Sequence, residues 1–122
     1  MEIQSYRDLV VWQRGMDLAA AVYHLTKAFP REEQFGMTSQ MRRAAASVPA
    51  NIAEGYGRAS RADYIRFLRI AQGSLKGVET HLLLSARVEL CRTEAIQPLL
   101  AQSEAIGKML RALIHSLERK GE

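Results

Sequence analysis

Tyr64, Leu68, Ala71, Leu75, Val78, Leu82 and Ser85 recur at alternating intervals of four and three residues. That period follows one face of an α-helix and cannot follow a strand, whose side chains alternate at every second residue. The seam constrains the fold more than any other feature of the chain. It predicts a long helix packed edge-on against another helix at a shallow angle. Ser60 and Asp63 form a capping signature at its start, and the helix is expected over 61–90.

Three further segments carry the same period. Ser5 and Asp8 have capping-box spacing ahead of an apolar run that Pro30 closes, which predicts a first helix over 6–29. Within it, Trp12, Met16, Ala19 and Tyr23 fall on one face, and Val11, Leu18, Val22, Leu25 and Phe29 on the next. Met41, Ala44, Ala45, Val48 and Ile52 give the buried side of a second helix over 37–56. Gly55 and Gly57 are expected to end it, because glycine takes the left-handed conformation without steric cost. Pro49 lies in the middle of that helix; it removes a backbone donor and clashes with the preceding turn, so a kink or a break is expected there. A fourth helix over 94–119 follows from Leu99, Ser103, Ile106, Leu110, Leu113 and Leu117, with Pro98 pushing its regular start toward Gln97. Short connections and the absence of a strand pattern lead to one all-α domain over 1–122. The expected architecture is an antiparallel up-down four-helix bundle, kinked at Pro49.

The first and third helices are apolar over more than one stripe. Ile70, Gly77, His81, Leu84 and Val88 run beside the main seam of the third. Apolar surface in excess of one core points to association of copies into a homo-oligomer; the competing account buries a whole helix inside a monomer. Gly73 and Gly77, four apart, suit a close helix approach or a flexible point.

With 122 residues the chain is large enough for one hydrophobic core. The opening MEIQSYRDLVVWQRG lacks the basic lead and cleavage pattern of a signal peptide. No apolar run approaches the roughly 20 residues of a membrane span. The single cysteine, Cys91, has no disulfide or zinc partner. A reduced cytoplasm is the expected compartment, with no membrane association.

Catalytic signatures are missing. His24, His81 and His115 fall on different helices and are not clustered with cysteines or with one another, so no metal site is expected. GYGR follows a helix rather than a strand, unlike a phosphate loop. No serine sits in a nucleophile elbow, and Glu54 and Glu79 do not form an acid/base pair. The expectation is a protein that is not an enzyme and needs no cofactor. A polar line does stand out: Arg43, Ser47, Asn51 and Glu54 share one face of the second helix. It reads either as a network supporting a bent helix or as a binding groove. Net charge is +4, and Arg42, Arg43, Arg58, Arg61, Arg66, Arg69 and Lys76 offer a basic surface. Repeated in an oligomer, that surface would attract RNA or another nucleic acid; otherwise it is a solvated face.

The segments LVVWQ, FGMTSQMRRAAASVPANIAEG and FLRIAQGSLKGVET resemble the bacterial 23S rRNA-intervening-sequence proteins, and the likeness covers nearly the whole chain. The resemblance implies a cytosolic four-helix bundle assembling as a homopentamer, with some members encoded inside insertions in large-subunit ribosomal RNA genes. It also implies a distant relation to accessory proteins of diversity-generating retroelements, which are basic, bind nucleic acid and contact a reverse transcriptase. No catalytic residues are established for the family. Arg42, Arg43, Ser47, Pro49, Asn51, Glu54 and Gly55 therefore carry over as signature positions alone. The leading expectation is a non-enzymatic oligomeric binding or scaffolding protein, and the alternative is an RNA-binding accessory protein.

Overall fold

A computed structural model describes residues 2–120. It holds four α-helices and, among the described residues, no strand: α1 (Val10–Thr26), α2 (Met37–Tyr56), α3 (Arg61–Arg87) and α4 (Thr93–Lys120). Short 3-10 turns precede α1 (Tyr6–Asp8) and α2 (Arg31–Glu33).

The box at Ser5 and Asp8 is present, but it closes a single 3-10 turn. Ser5 Oγ accepts from the Arg7 N–H at 3.1 Å, and Asp8 Oδ2 accepts from the Ser5 N–H at 3.2 Å. Leu9 then turns extended (φ −74°, ψ 123°), and α1 begins at Val10 rather than at Tyr6. At its other end α1 stops at Thr26, where Arg42 of α2 reaches across: its Nε donates to Thr26 Oγ1 at 2.8 Å. Phe29 lies beyond the helix yet stays buried, carried inward by turn bonds from Thr26 onward.

α2 opens on a carboxylate: Glu33 Oε1 accepts from the Met37 N–H at 3.0 Å, taking one of the donors that a helix start leaves unpaired. It then runs without interruption through Pro49. Gly57 follows with φ −80°, so the end of α2 uses no left-handed glycine, contrary to the expectation for Gly55 and Gly57. Gly55 serves packing instead. The one left-handed residue among those described is Glu89, at φ 66°, just beyond α3. There the Leu90 N–H donates to the Ser85 carbonyl at 2.9 Å and the Glu89 N–H to that of Ala86 at 3.1 Å. This paired arrangement satisfies carbonyls that the helix end would otherwise leave open.

α4 starts at Thr93 rather than near Gln97, with Pro98 inside its second turn. The proline forfeits one helical donor close to the helix start, and the buried anchors Ile96 and Leu99 on either side keep that turn seated.

Each helix packs on the next and α4 returns to α1; among the described residues the backbones of the diagonal pairs do not approach within 8 Å between Cα atoms. Leu18 and Val22 of α1, Met41, Val48 and Ile52 of α2, Leu68, Val78 and Leu82 of α3, and Ile106 and Leu110 of α4 are fully or almost fully enclosed. Each such side chain stabilises the fold by roughly 1.5–3 kcal/mol. The α4 seam passes from Leu110 to Ile114, leaving Leu113 and Leu117 half-buried beside it. Contacts between neighbouring helices fall in reversed order. Gly15 meets Pro49 while Thr26 meets Arg42; Met41 meets Ser85 while Gly55 meets Phe67.

Candidate functional site

The polar line on α2 resolves into a tight centre and two open ends. Asn51 Nδ2 donates to both the carbonyl oxygen and Oγ of Ser47, each at 2.8 Å. Ser47 Oγ lies 2.8 Å from Ser74 Oγ on α3, so the network bridges two helices. Asn51 thus spends its amide on Ser47 and not on the Ala45 carbonyl that Pro49 deprives of a donor. Arg43 and Glu54, at the two ends of the line, are exposed and form no ion pair among the described residues. Sequence reasoning missed Ser74, whose single hydroxyl carries no periodic signal.

Pro49 is buried against α1. A Cβ placed on Gly15 would stand 3.4 Å from the Pro49 Cβ, at the near edge of ordinary contact, so α1 lies close over the proline ring. At Gly55 the approach of α3 is closer: a Cβ there would lie 2.8 Å from the Phe67 Cβ and 3.2 Å from the Tyr64 carbonyl oxygen. The signature positions 47, 49, 51 and 55 therefore hold α2 close to its two neighbours.

The basic residues do not form one surface. Arg42 is committed to the end of α1, with its guanidinium 4.6 Å from the Tyr23 ring centre as well as bonded to Thr26. A cation there also complements the negative end of the α1 dipole. Arg58 lies beyond the opposite end of α2, about 24 Å away along the helix. Near Arg58 a second cluster forms, in which Arg58 and Arg66 stand 4.7 and 4.6 Å from the Phe67 ring. Arg66 also meets Asp63 at 3.4 Å. Arg61 is exposed at the first position of α3. Arg69 pairs with Glu118 at 2.7 Å and Lys76 with Glu79 at 3.2 Å. All these pairs are exposed on at least one side and so are individually weak.

Apolar surface is left open on both flanks of α2. On α1, Met16 and Tyr23 are 45% and 44% exposed, and the Arg42 contact puts that seam on the α2 side. On α3 and its C-cap, Ile70, Leu84 and Val88 are 42%, 43% and 55% exposed. They share a stripe with Gly77, which faces Ala44 of α2. His81 lies on that stripe, and its Nδ1 is buried without a hydrogen-bond partner.

Burial, reinforced by the neighbouring Tyr56 phenol, raises the Tyr64 pKa; the two rings stack with centres 6.1 Å apart. Burial also pushes the Cys91 thiol up. No three His, Cys, Asp or Glu side chains among the described residues are grouped to hold a metal ion. No helix among them is long and apolar enough to cross a membrane.

The sequence profile of the 23S rRNA-intervening sequence proteins matches residues 7–112. Among solved structures, the chain is similar to a protein of unknown function from the S23 ribosomal protein family of Bacteroides thetaiotaomicron. The two are 30% identical with a TM-score of 0.77, over 86% of this chain and 98% of the other. No curated protein matches this chain. Neither likeness indicates an enzymatic family.

Proposed function

From the premise that this chain belongs to the 23S rRNA-intervening sequence protein family, we propose that it is a non-enzymatic scaffold of the cytoplasm. In this reading its up-down bundles, bent at Pro49, associate through the outer face of α2 into a closed homo-oligomer, a pentamer. The observation that carries the reading is the pair of unburied apolar seams flanking α2: Met16 and Tyr23 on one side, Ile70, Leu84 and Val88 on the other. Between them α2 presents the small residues Ala46 and Ala50, over which another helix can approach closely. The reversed order of contacts between successive helices supports the up-down arrangement. Multi-angle light scattering at micromolar concentration tests the assembly. The expected mass is five times the 13.7 kDa of one chain, and Met16→Glu or Leu84→Glu should shift it toward monomer. A single-copy mass at every concentration rejects the proposal.

A second reading, RNA binding, rests on the corner where Arg58 and Arg66 flank Phe67 near the start of α3, with Arg61 exposed at the first position of that helix. Phosphate contacts release counterions, so affinity should fall steeply with salt. Fluorescence anisotropy with a labelled RNA, repeated for Arg61→Ala/Arg66→Ala, is the check. Absence of binding at low salt disposes of this reading.

A further inference from the structure

Between α3 and α4 lies an open groove of about 740 Å³. It faces away from the apolar stripe of α3, about a third of a turn around the helix. Two glycines keep it open. Around the position of a Gly73 Cβ there is no atom within 4 Å, and Gly107 across the groove would meet only the Arg111 guanidinium, at 3.6 Å.

Three cations line this gap. Contacts between Glu79 and Ser103 and between Arg69 and Glu118 set the register of the two helices. In that register Arg111 faces the stretch of α3 between Arg69 and Lys76, two residues that stand about 10 Å apart along the helix. All three line the groove. Arg111 forms no ion pair among the described residues; Arg69 and its partner Glu118 are both about half exposed and the Lys76 side chain is largely exposed, so neither pair holds its cation strongly. The groove wall is polar and ordered: the fully buried Ser103 donates to Glu79 Oε2 at 2.6 Å, while Glu79 Oε1 accepts from Lys76 at 3.2 Å. Gln72 and Glu104 add further hydrogen-bonding groups.

We propose that this groove binds the phosphate monoester of a small polyhydroxylated molecule, a sugar phosphate. Arg69, Lys76 and Arg111 hold the phosphate, with Arg69 and Arg111 able to fork across two of its oxygens. Glu79, Gln72 and Glu104 take the hydroxyls. The volume falls within the range of small-molecule sites and is far larger than a lone phosphate needs. No aromatic side chain lines it, so a nucleotide base has nothing to stack on. The site is independent of the assembly proposed above.

Isothermal titration of the full chain with ribose 5-phosphate, ribose, inorganic phosphate and a single-stranded RNA tests the assignment. Ribose 5-phosphate should bind saturably, at least tenfold tighter than inorganic phosphate, and ribose should not bind. Gly73→Leu fills the gap with a good helix former, and Arg111→Ala removes a cation. Each should weaken binding at least tenfold with helicity and oligomeric mass unchanged, whereas Arg14→Ala on α1 should have no effect. Three results each overturn the proposal: no heat at millimolar sugar phosphate, inorganic phosphate binding as tightly, or full affinity in Gly73→Leu. RNA binding that survives Gly73→Leu, without sugar phosphate binding, identifies a general polyanion surface and overturns it too.

Discussion

Gly55 of α2 and Phe67 of α3 meet so closely that a Cβ on the glycine would stand 2.8 Å from the phenylalanine Cβ. Tyr64 closes the other side, with its ring carbon at 3.1 Å and its carbonyl oxygen at 3.2 Å. Neither a Cβ nor a backbone carbonyl can swing away, so any side chain at position 55 must push the helices apart. Gly55→Ala gains up to about 1 kcal/mol of helix propensity but incurs about 1–3 kcal/mol of overpacking. Net destabilisation is expected, read as a lower urea midpoint with an unchanged slope.

Gly73 should behave in the opposite way. Its surroundings are empty within 4 Å, and it sits inside α3. Gly73→Ala therefore takes the propensity gain without a clash and should stabilise by about 0.5–1 kcal/mol. The same urea titration, run beside Gly55→Ala at equal protein concentration, checks the contrast in sign.

These two glycines also show where sequence reading stops. Leu68, Ala71, Leu75, Val78, Leu82 and Ser85 were legible as the α3 core because a buried face imposes a repeating spacing. A glycine that admits a neighbour contributes no side chain to any period, so the Gly15–Pro49 and Gly55–Phe67 contacts leave no trace in spacing. Capping chemistry was legible at Ser5 and Asp8, yet the same hydrogen bonds close a 3-10 turn as readily as an α-helix. The polar line was visible from Ser47 to Asn51 on one helix, but its anchor Ser74 belongs to another. Arg42 read as a free cation because its partners, Thr26 and Tyr23, lie across the α1–α2 connection. Relationships within a helix could be counted; those between helices needed the fold.

The Asn51–Ser47–Ser74 chain makes a separable energetic prediction. Asn51→Ala removes two hydrogen bonds at 2.8 Å and leaves Ser47 Oγ with Ser74 alone. Each net bond contributes about 0.5–1.5 kcal/mol, so a loss of about 1–3 kcal/mol is expected. Ser74→Ala should lose less, since Ser47 keeps its Asn51 partner. The double variant should lose more than the sum of the two, because only it leaves the part-buried Ser47 hydroxyl with neither partner. A double-mutant cycle by denaturant unfolding measures that coupling, and strict additivity would refute a connected network.

Glu89 supplies a gain by relief of strain. Its φ of 66° turns the chain so that the Leu90 amide reaches the Ser85 carbonyl at the end of α3. A non-glycine residue in this conformation carries a cost of about 1–2 kcal/mol. Glu89→Gly removes that cost but loses about 0.5–1 kcal/mol through the greater freedom of the unfolded chain. The balance is a stabilisation of up to about 1 kcal/mol, or a few degrees in Tm for a domain of this size. Glu89→Val should move Tm the other way, since a β-branched side chain tolerates the left-handed region poorly. Scans are compared at one protein concentration, because any assembly makes Tm concentration-dependent. Equal Tm values for the glycine and valine variants would show that the conformation at position 89 carries no strain.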